Sequence, residues 1–525
     1  MRSLHTLFRA GLIAVSVLWT GVAVAETSLT PAWSSFVGGT DDLDSLYALA
    51  TDSATNCYIG GYLGQGWIQS VPVVEGIGYQ GAQDAFVAKL TASGALAWYI
   101  CLGSGEGDDL ITGLAVYTSG VAYAAGIFGH PNPLASSSAA LTAFRCANGS
   151  TNWSRTIGDA YGTNGFNAVA VDSNGYIYAV GYTTVSGLTC NVSGYLVNGT
   201  SYGKQLKGNT DAFVAKYAPN GDLLWLHYLG GTNADTATAC AVGPDGSVYV
   251  GGETRSPGWA TVPSGAPSPS DPDGFIVKLT AAGTNVWSAF IGGSGADAVS
   301  SLAAAPSSSA LFLGGKTASA NFLSGATNLN TKAGGTEGFV VKLTVAGGSF
   351  QTNWCRFFGG SAADLVTSLA LTTNSMVAVG GTTTSGGWLT QAGTSTFGGV
   401  QDGFLSLLDS AGAVVWSSYV GGARSDELRA LSPAPNALFA GGSTFSPYWV
   451  SGGFWNTWTK DSDWDGIPNL DAALSFGFVG KWMFVPDVPP AITDDPDNVT
   501  VREGETATFQ VTATGTAPLT YRWLR

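Results

Sequence analysis

The residues best placed to do chemistry form one short run, Asp461-Ser462-Asp463-Trp464-Asp465-Gly466-Ile467-Pro468-Asn469-Leu470-Asp471. Carboxylates at its first, third and fifth positions, with glycine at the sixth, can wrap one hard cation in oxygen ligands, and Ile467 adds a backbone carbonyl. Asn469 and Asp471 complete the expected set of Asp461, Asp463, Asp465, Ile467, Asn469 and Asp471, and the cation that suits this shell is calcium. Two departures count against it. Ala472 stands where a closing acid is expected, and Trp464 takes a place usually held by a smaller residue. A plain acidic turn is the alternative.

The other candidates recur. Acidic residues follow a Gly-Gly-like pair at a spacing of four as Asp108, Asp235, Asp297, Asp364 and Asp426; Asp42 and Asp44 stand in a shifted register, and Thr163 and Asn164 replace them once. A ring of carboxylates could hold a cation, but a turn after glycine also needs a side-chain acceptor for its N–H groups, and that structural role is expected here. Aromatics recur as Trp259, Phe322, Trp388 and Trp449, with Trp67 one position early. They could stack on sugar rings; repetition at one position points instead to packing between units. Histidine chemistry is scarce, because only His130 and His227 lie beyond the leader. No nucleophilic device or histidine-ligated metal is expected from two scattered imidazoles. A carboxylate pair acting on a glycosidic bond leaves no local motif and stays open.

These residues sit in a sevenfold repeat. Tryptophan followed five positions on by glycine occurs at Trp33, Trp98, Trp153, Trp225, Trp287, Trp354 and Trp416. Each copy leads to a stretch such as LYALATD, then an apolar strand closing on glycine such as VYVGG, then a variable loop, then DAFVAKL or a relative of it. The period is about 62 residues, and the segments alternate with period two and favour Val, Tyr, Phe and Thr, which excludes a helical solenoid. Four strand-like segments in each of seven units predict an all-β chain, a seven-bladed β-propeller over 26–458. The repeat tryptophans and Phe86, Phe213, Phe275, Phe339 and Phe404 are expected in its core. The seventh unit offers only FWNTW at Phe454 as its last copy of the DAFVAKL segment.

The series W-x-x-[FY]-[VIL]-G-G, an Asp shortly after, Y-V-G-G-x-T and D-A-F-V-A-K-L resembles the bacterial SBBP β-propeller repeat, from about Trp33 to Trp458. That resemblance implies an extracellular propeller and no particular activity. The run from Asp461 resembles the calcium loops of thrombospondin type 3 repeats and EF-hand-like bacterial linkers, and it marks 459–488 as a linker. Residues 489–525, with TVREGETATFQVTA and LTYRWLR, resemble the opening of an immunoglobulin-like domain, where Trp523 matches the core tryptophan and Phe509 and Val511 stand at the inward positions that would hold a cysteine. The piece is too short to be a whole domain of that kind.

The start of the chain reads as a secretory signal over 1–25: Arg2 and Arg9, the run AGLIAVSVLW, and Ala23-Val24-Ala25 before a cut. No later stretch could span a bilayer as a helix. The full chain carries net charge −15; without the leader, 19 basic face 36 acidic residues, a net of −17. Such a surface repels nucleic acid and anionic lipid. Cys57, Cys101, Cys146, Cys190, Cys240 and Cys355 form no CxxC pair, and buried free thiols are expected. The expected function is a secreted or surface-displayed, non-enzymatic binding or scaffold module, monomeric, with an extracellular glycan or protein ligand. The alternative is a secreted carbohydrate-active enzyme, a glycosidase or polysaccharide lyase, with its site at the propeller centre.

Overall fold

Every blade begins on a short strand that opens with, or in blade one directly follows, a buried carboxylate or amide and alternates apolar with small polar residues, and this strand faces the propeller axis. In the computed structural model these first strands are Ser45–Thr51, Asp109–Tyr117, Asn164–Val171, Asp235–Val242, Asp297–Ala304, Asp364–Leu371 and Asp426–Ala434. Each contacts the first strand of the next blade, and the seventh contacts the first, so the ring closes. The structure describes residues 15–16, 28–38, 44–64, 83–103, 107–118, 120–129, 136–158, 162–185, 188, 206, 208–260, 271–323, 326–389, 396–446, 475–485, 491–494, 512–514 and 522–523.

Six blades are four-stranded antiparallel meanders in chain order; blade four, for example, runs Asp235–Val242, Val248–Thr254, Asp273–Leu279 and Asn285–Ile291. The seventh differs. Its strands are Asp426–Ala434, Ala437–Thr444, Phe476–Val485 and, outermost, Ser28–Val37 from the start of the chain. Each sequence repeat is therefore offset from a blade by one strand: its tryptophan belongs to the outer edge of one blade and its remaining segments to the next. Trp33 accordingly packs edge-on against Phe439 of blade seven and donates from Nε1 to the Ala92 carbonyl of blade one. Phe476–Val485 lies inside the stretch 459–488 expected as linker; it pairs with Ala437–Thr444 from Thr444↔Phe476 to Ala437↔Met483. Phe454 lies outside the described residues.

The repeated residues are explained by packing. Phe86, Phe213, Phe275, Phe339 and Phe404 are fully buried, each worth about 1.5–3 kcal/mol of transfer free energy. Five second strands carry a glycine pair, blades two and three keeping only its second member, and the pair has two jobs, as blade four shows. A Cβ on Gly251 would stand 2.8 Å from Val299 of the next blade, and one on Gly252 only 2.0 Å from the Thr236 carbonyl across its own sheet. Five turns before an outer strand present a glycine to the preceding blade's tryptophan: Gly94, Gly149, Gly221, Gly283 and Gly412. Gly149 has φ +75°, and a Cβ there would lie 2.8 Å from the Trp98 ring. Five of the seven tryptophans are buried; Trp153 and Trp225 are half-buried.

Contacts divide the chain into Thr30–Met483 and a second unit of Met1–Leu29 with Phe484–Arg525. Within the second unit Ala491–Asp494 pairs antiparallel with Thr512–Thr514, and Val15–Ser16 with Arg522–Trp523. Phe509 and Val511 lie outside the described residues. Among the described residues no helix is long and apolar enough to cross a membrane.

Candidate functional site

The recurrent carboxylates are structural fasteners at the blade junctions. The first-strand positions are Asp44, Asp109, Asn164, Asp235, Asp297, Asp364 and Asp426, all at most 2% exposed. Asp426 accepts from the Gly422 N–H at 2.7 Å, from Ser446 Oγ at 2.7 Å and from Thr444 Oγ1. Asp235 and Asp364 repeat the pattern with Gly231, Ser256 and Thr254, and with Gly360, Ser385 and Thr383. Each oxygen thus meets a backbone or hydroxyl donor that burial would otherwise leave unpaired. Asp108 is a correction. It is exposed, and the register position belongs to Asp109, because the turn from Gly103 carries one residue more than the turn from Gly292 to Asp297. Blades one and three have the same extra residue, which moves the position to Asp44 and Asn164.

A second set of acids opens the third strands: Asp84, Asp211, Asp273, Glu337 and Asp402, all buried. Each third strand adjoins the next blade's first strand; the Asp297 and Asp426 N–H groups donate to Pro272 and Gln401 carbonyls, one residue before Asp273 and Asp402. The two carboxyls consequently converge. Both Asp273 Oδ1 and Asp297 Oδ2 stand within 2.8 Å of where a Cβ on Gly292 would be, and Gly421 is flanked in the same way by Asp402 and Asp426. Burial, reinforced by the neighbouring carboxylate, pushes Asp273 up to about 7 and Asp402 up to about 6. Where the first-strand residue is the neutral Asn164, its neighbour is the neutral Ser138, and Asn164 Nδ2 instead donates to the Ser137 carbonyl at 2.9 Å. These close carboxyl pairs are sealed from water.

The recurrent aromatics are also internal. Trp259 packs edge-on against Phe275 and Phe290 and donates to Thr254 Oγ1 at 3.1 Å; Trp388 does the same with Phe404 and Thr383 Oγ1 at 3.0 Å. Phe322 packs at a tilt against Phe339, ring centroids 4.5 Å apart. Their main partners lie in their own blade rather than between blades. His227 is buried against Trp225 with ring centroids 4.8 Å apart, and burial pushes its imidazole down, toward the neutral form. Cys57, Cys101, Cys146, Cys240 and Cys355 are free thiols. Asp461, Asp463, Asp465, Ile467, Asn469 and Asp471 lie outside the described residues, as do Asp42, Trp67, His130, Cys190 and Trp449. Among the described residues no three His, Cys, Asp or Glu side chains are grouped to hold a metal.

One ring of positions does break symmetry. Each first strand carries a β-bulge three residues after its buried carboxylate or amide, at Tyr47, Thr112, Asn167, Thr238, Ser300, Thr367 and Arg429. Bulges re-aim a side chain. In five blades the side chain donates to the next blade's first strand: Thr112 to Phe166, Asn167 to Ala237, Thr238 to Val299, Ser300 to Val366 and Thr367 to Leu428, at 2.5–2.7 Å. Blades seven and one place Arg429 and Tyr47 there. The Arg429 guanidinium lies 4.1 Å from the Tyr47 ring centroid, contacts Glu427 at 2.5 Å and donates from Nε to Ser443 Oγ at 3.3 Å. Gln401 Nε2 donates to the other Glu427 oxygen at 2.9 Å, and Tyr62 stands beside Tyr47 at 5.9 Å. Arg429 and Glu427 keep 27% and 35% of their side-chain surface in water. Sequence reading passed over this cluster; its signal was the residue three after each repeated acid, which reads Tyr, Thr, Asn, Thr, Ser, Thr, Arg.

No family model matches the chain. A 47-residue stretch is 47% identical to regulatory protein FlaEY of Caulobacter vibrioides, covering 9% of this chain and 5% of that protein, so the chain matches only a small part of its curated relative. Solved structures similar in fold include a protein of unknown function from Dyadobacter fermentans, at 7% identity and TM-score 0.39 over 87% of this chain and 99% of that one. Others are puromycin hydrolase, 10% identical with TM-score 0.40 over 79% and 53%, and the phage phi92 endosialidase, 11% identical with TM-score 0.37 over 93% and 75%.

Proposed function

We propose that the chain is a non-enzymatic binding or scaffold module that works outside the cell, secreted or displayed at its surface, built on an SBBP-type propeller. The observation that carries this reading is where its polar groups go. The repeated Asp, Thr and Ser side chains are spent on hydrogen bonds within and between blades, and the close carboxyl pairs are sealed from solvent rather than presented to a substrate. An extracellular site suits the leader-like 1–25, and a cut after Ala25 leaves the closing strand Ser28–Val37 whole. In the same reading Asp461, Asp463, Asp465, Ile467, Asn469 and Asp471 take up calcium, stiffening the approach to an immunoglobulin-like segment.

Two experiments test it. Incubated with soluble and insoluble polysaccharides, the secreted chain should be retained on a surface without releasing reducing ends or unsaturated products; sustained release would favour the glycosidase or lyase alternative. Calcium should slow proteolysis between Asp461 and Asp471, and chelation should restore it. Equal cleavage with and without calcium removes the metal from the proposal.

A further inference from the structure

The acidic ring, the repeat aromatics and the buried thiols are all accounted for by packing, so a ligand must meet groups that the sevenfold pattern does not consume. The seventh-to-first junction is where the described residues concentrate them. Glu427, Arg429, Tyr47, Tyr62 and Gln401 come from three consecutive blades, on or beside first strands, and all keep part of their surface in water. We propose that this cluster is a binding site for a neutral saccharide, a proposal that rests on the binding-module reading above.

Three features select that ligand class. Arg429 and Glu427 form an oppositely charged fork joined by one contact, and the N–H groups and lone pairs left over can hydrogen-bond adjacent hydroxyls as donor and acceptor. Only two of the five guanidinium N–H groups are taken by the Glu427 and Ser443 contacts described above. Tyr62 stands beside the fork at 41° to the Tyr47 ring that Arg429 covers, and its ring is the apolar face on which the C–H side of a pyranose rests. The pair is net neutral. An anionic ligand would have to displace Glu427 and approach a chain of net charge −15, whereas a cationic one would meet Arg429. A polyol with one apolar face needs neither. Aromatic and planar polar groups in a small cluster are also the usual composition of a pocket that orients a small ligand.

The test uses the full secreted chain against immobilised neutral oligosaccharides of glucose, galactose, mannose and N-acetylglucosamine, with dissociation constants for any that are captured. At least one should bind, and Arg429→Gln or Tyr62→Ala should each weaken it tenfold or more with an unchanged melting temperature. Thr238→Val, at the equivalent bulge of blade four, should leave binding unchanged. Capture that survives Arg429→Gln and Tyr62→Ala would overturn this site while leaving a binding module standing. Capture of no neutral sugar overturns the saccharide, and the surface-retention experiment then decides separately whether the module reading survives. Selective capture of sialylated or sulfated glycans would overturn the neutral ligand.

Discussion

The junction between blades four and five and the junction between blades seven and one are built from equivalent positions, yet they differ in what they do with polarity. At the first, the buried acids Asp273 and Asp297 face each other, and Thr238 and Ser300 stitch neighbouring blades together near the axis. At the second, Phe476 stands where the third-strand acid would be, and Arg429 and Tyr47 replace the small donors. The regular junction spends its recurrent polar groups on bonds within and between blades, and the irregular one leaves a charged fork and two rings partly in water. A repeat fold therefore separates its tasks by symmetry: positions shared by the blades hold the ring, and departures are available for a ligand.

The largest effect that would break this comparison is loss of a regular fastener. Asp426→Ala strips the acceptor from Gly422, Thr444 and Ser446 at once, and each buried donor left unpaired costs about 1–3 kcal/mol. Denaturant unfolding should show a loss of about 3–5 kcal/mol. Asp426→Asn should be milder, because Asn164 fills the same position in blade three and accepts from Thr183 at 2.6 Å. If Asp426→Ala cost less than about 1 kcal/mol, the acid ring would not be what fastens the blades.

A second prediction concerns pH. Asp273 is raised from its ordinary 3.8 to about 7, chiefly by burial and then by Asp297, with Asp271 adding in the same direction. A carboxyl raised on folding favours the native state fully below the unfolded value and loses that contribution as pH climbs through the folded one. The paired acids should therefore make the propeller more stable near pH 4 than near pH 8, by on the order of 2–4 kcal/mol if one pair dominates. Asp273→Ser, which copies Ser138 of blade two, should flatten the melting-temperature profile between those values. A profile unchanged by Asp273→Ser would mean that this pair does not set the pH dependence.

How far these features could be read in sequence follows from the same symmetry. The blade count and the core were legible because tryptophan, the glycine pair and phenylalanine recur at fixed offsets, each held by a contact with a neighbouring strand or blade. Blade boundaries were less so: the chain closes its ring by lending Ser28–Val37 to blade seven, which puts every repeat one strand out of phase. Asp109 was hidden behind Asp108 by a one-residue insertion. The third strand of blade seven escaped notice because Phe476-Gly477-Phe478-Val479 lacks the acidic start of DAFVAKL and follows a long insertion. Arg429 and Tyr47 were invisible for the opposite reason, since a search for recurrence discards what occurs once.

The smallest expected effect sharpens the comparison most. Arg429 is tied to a half-exposed carboxylate and a tyrosine ring, contacts worth about 0–1 kcal/mol each in water. In five other blades a small polar side chain at this position donates to the next blade, a bond worth about 1 kcal/mol. Arg429→Thr should thus restore the regular junction, with Thr donating toward the carbonyl of Leu46, the counterpart of Val299 and Leu428. The melting temperature should hold or rise, equivalent to about 0–1 kcal/mol, while saccharide binding is lost. A fall of more than about 1 kcal/mol would identify Arg429 as one more fastener, and the asymmetry would then belong to closing the ring rather than to a ligand.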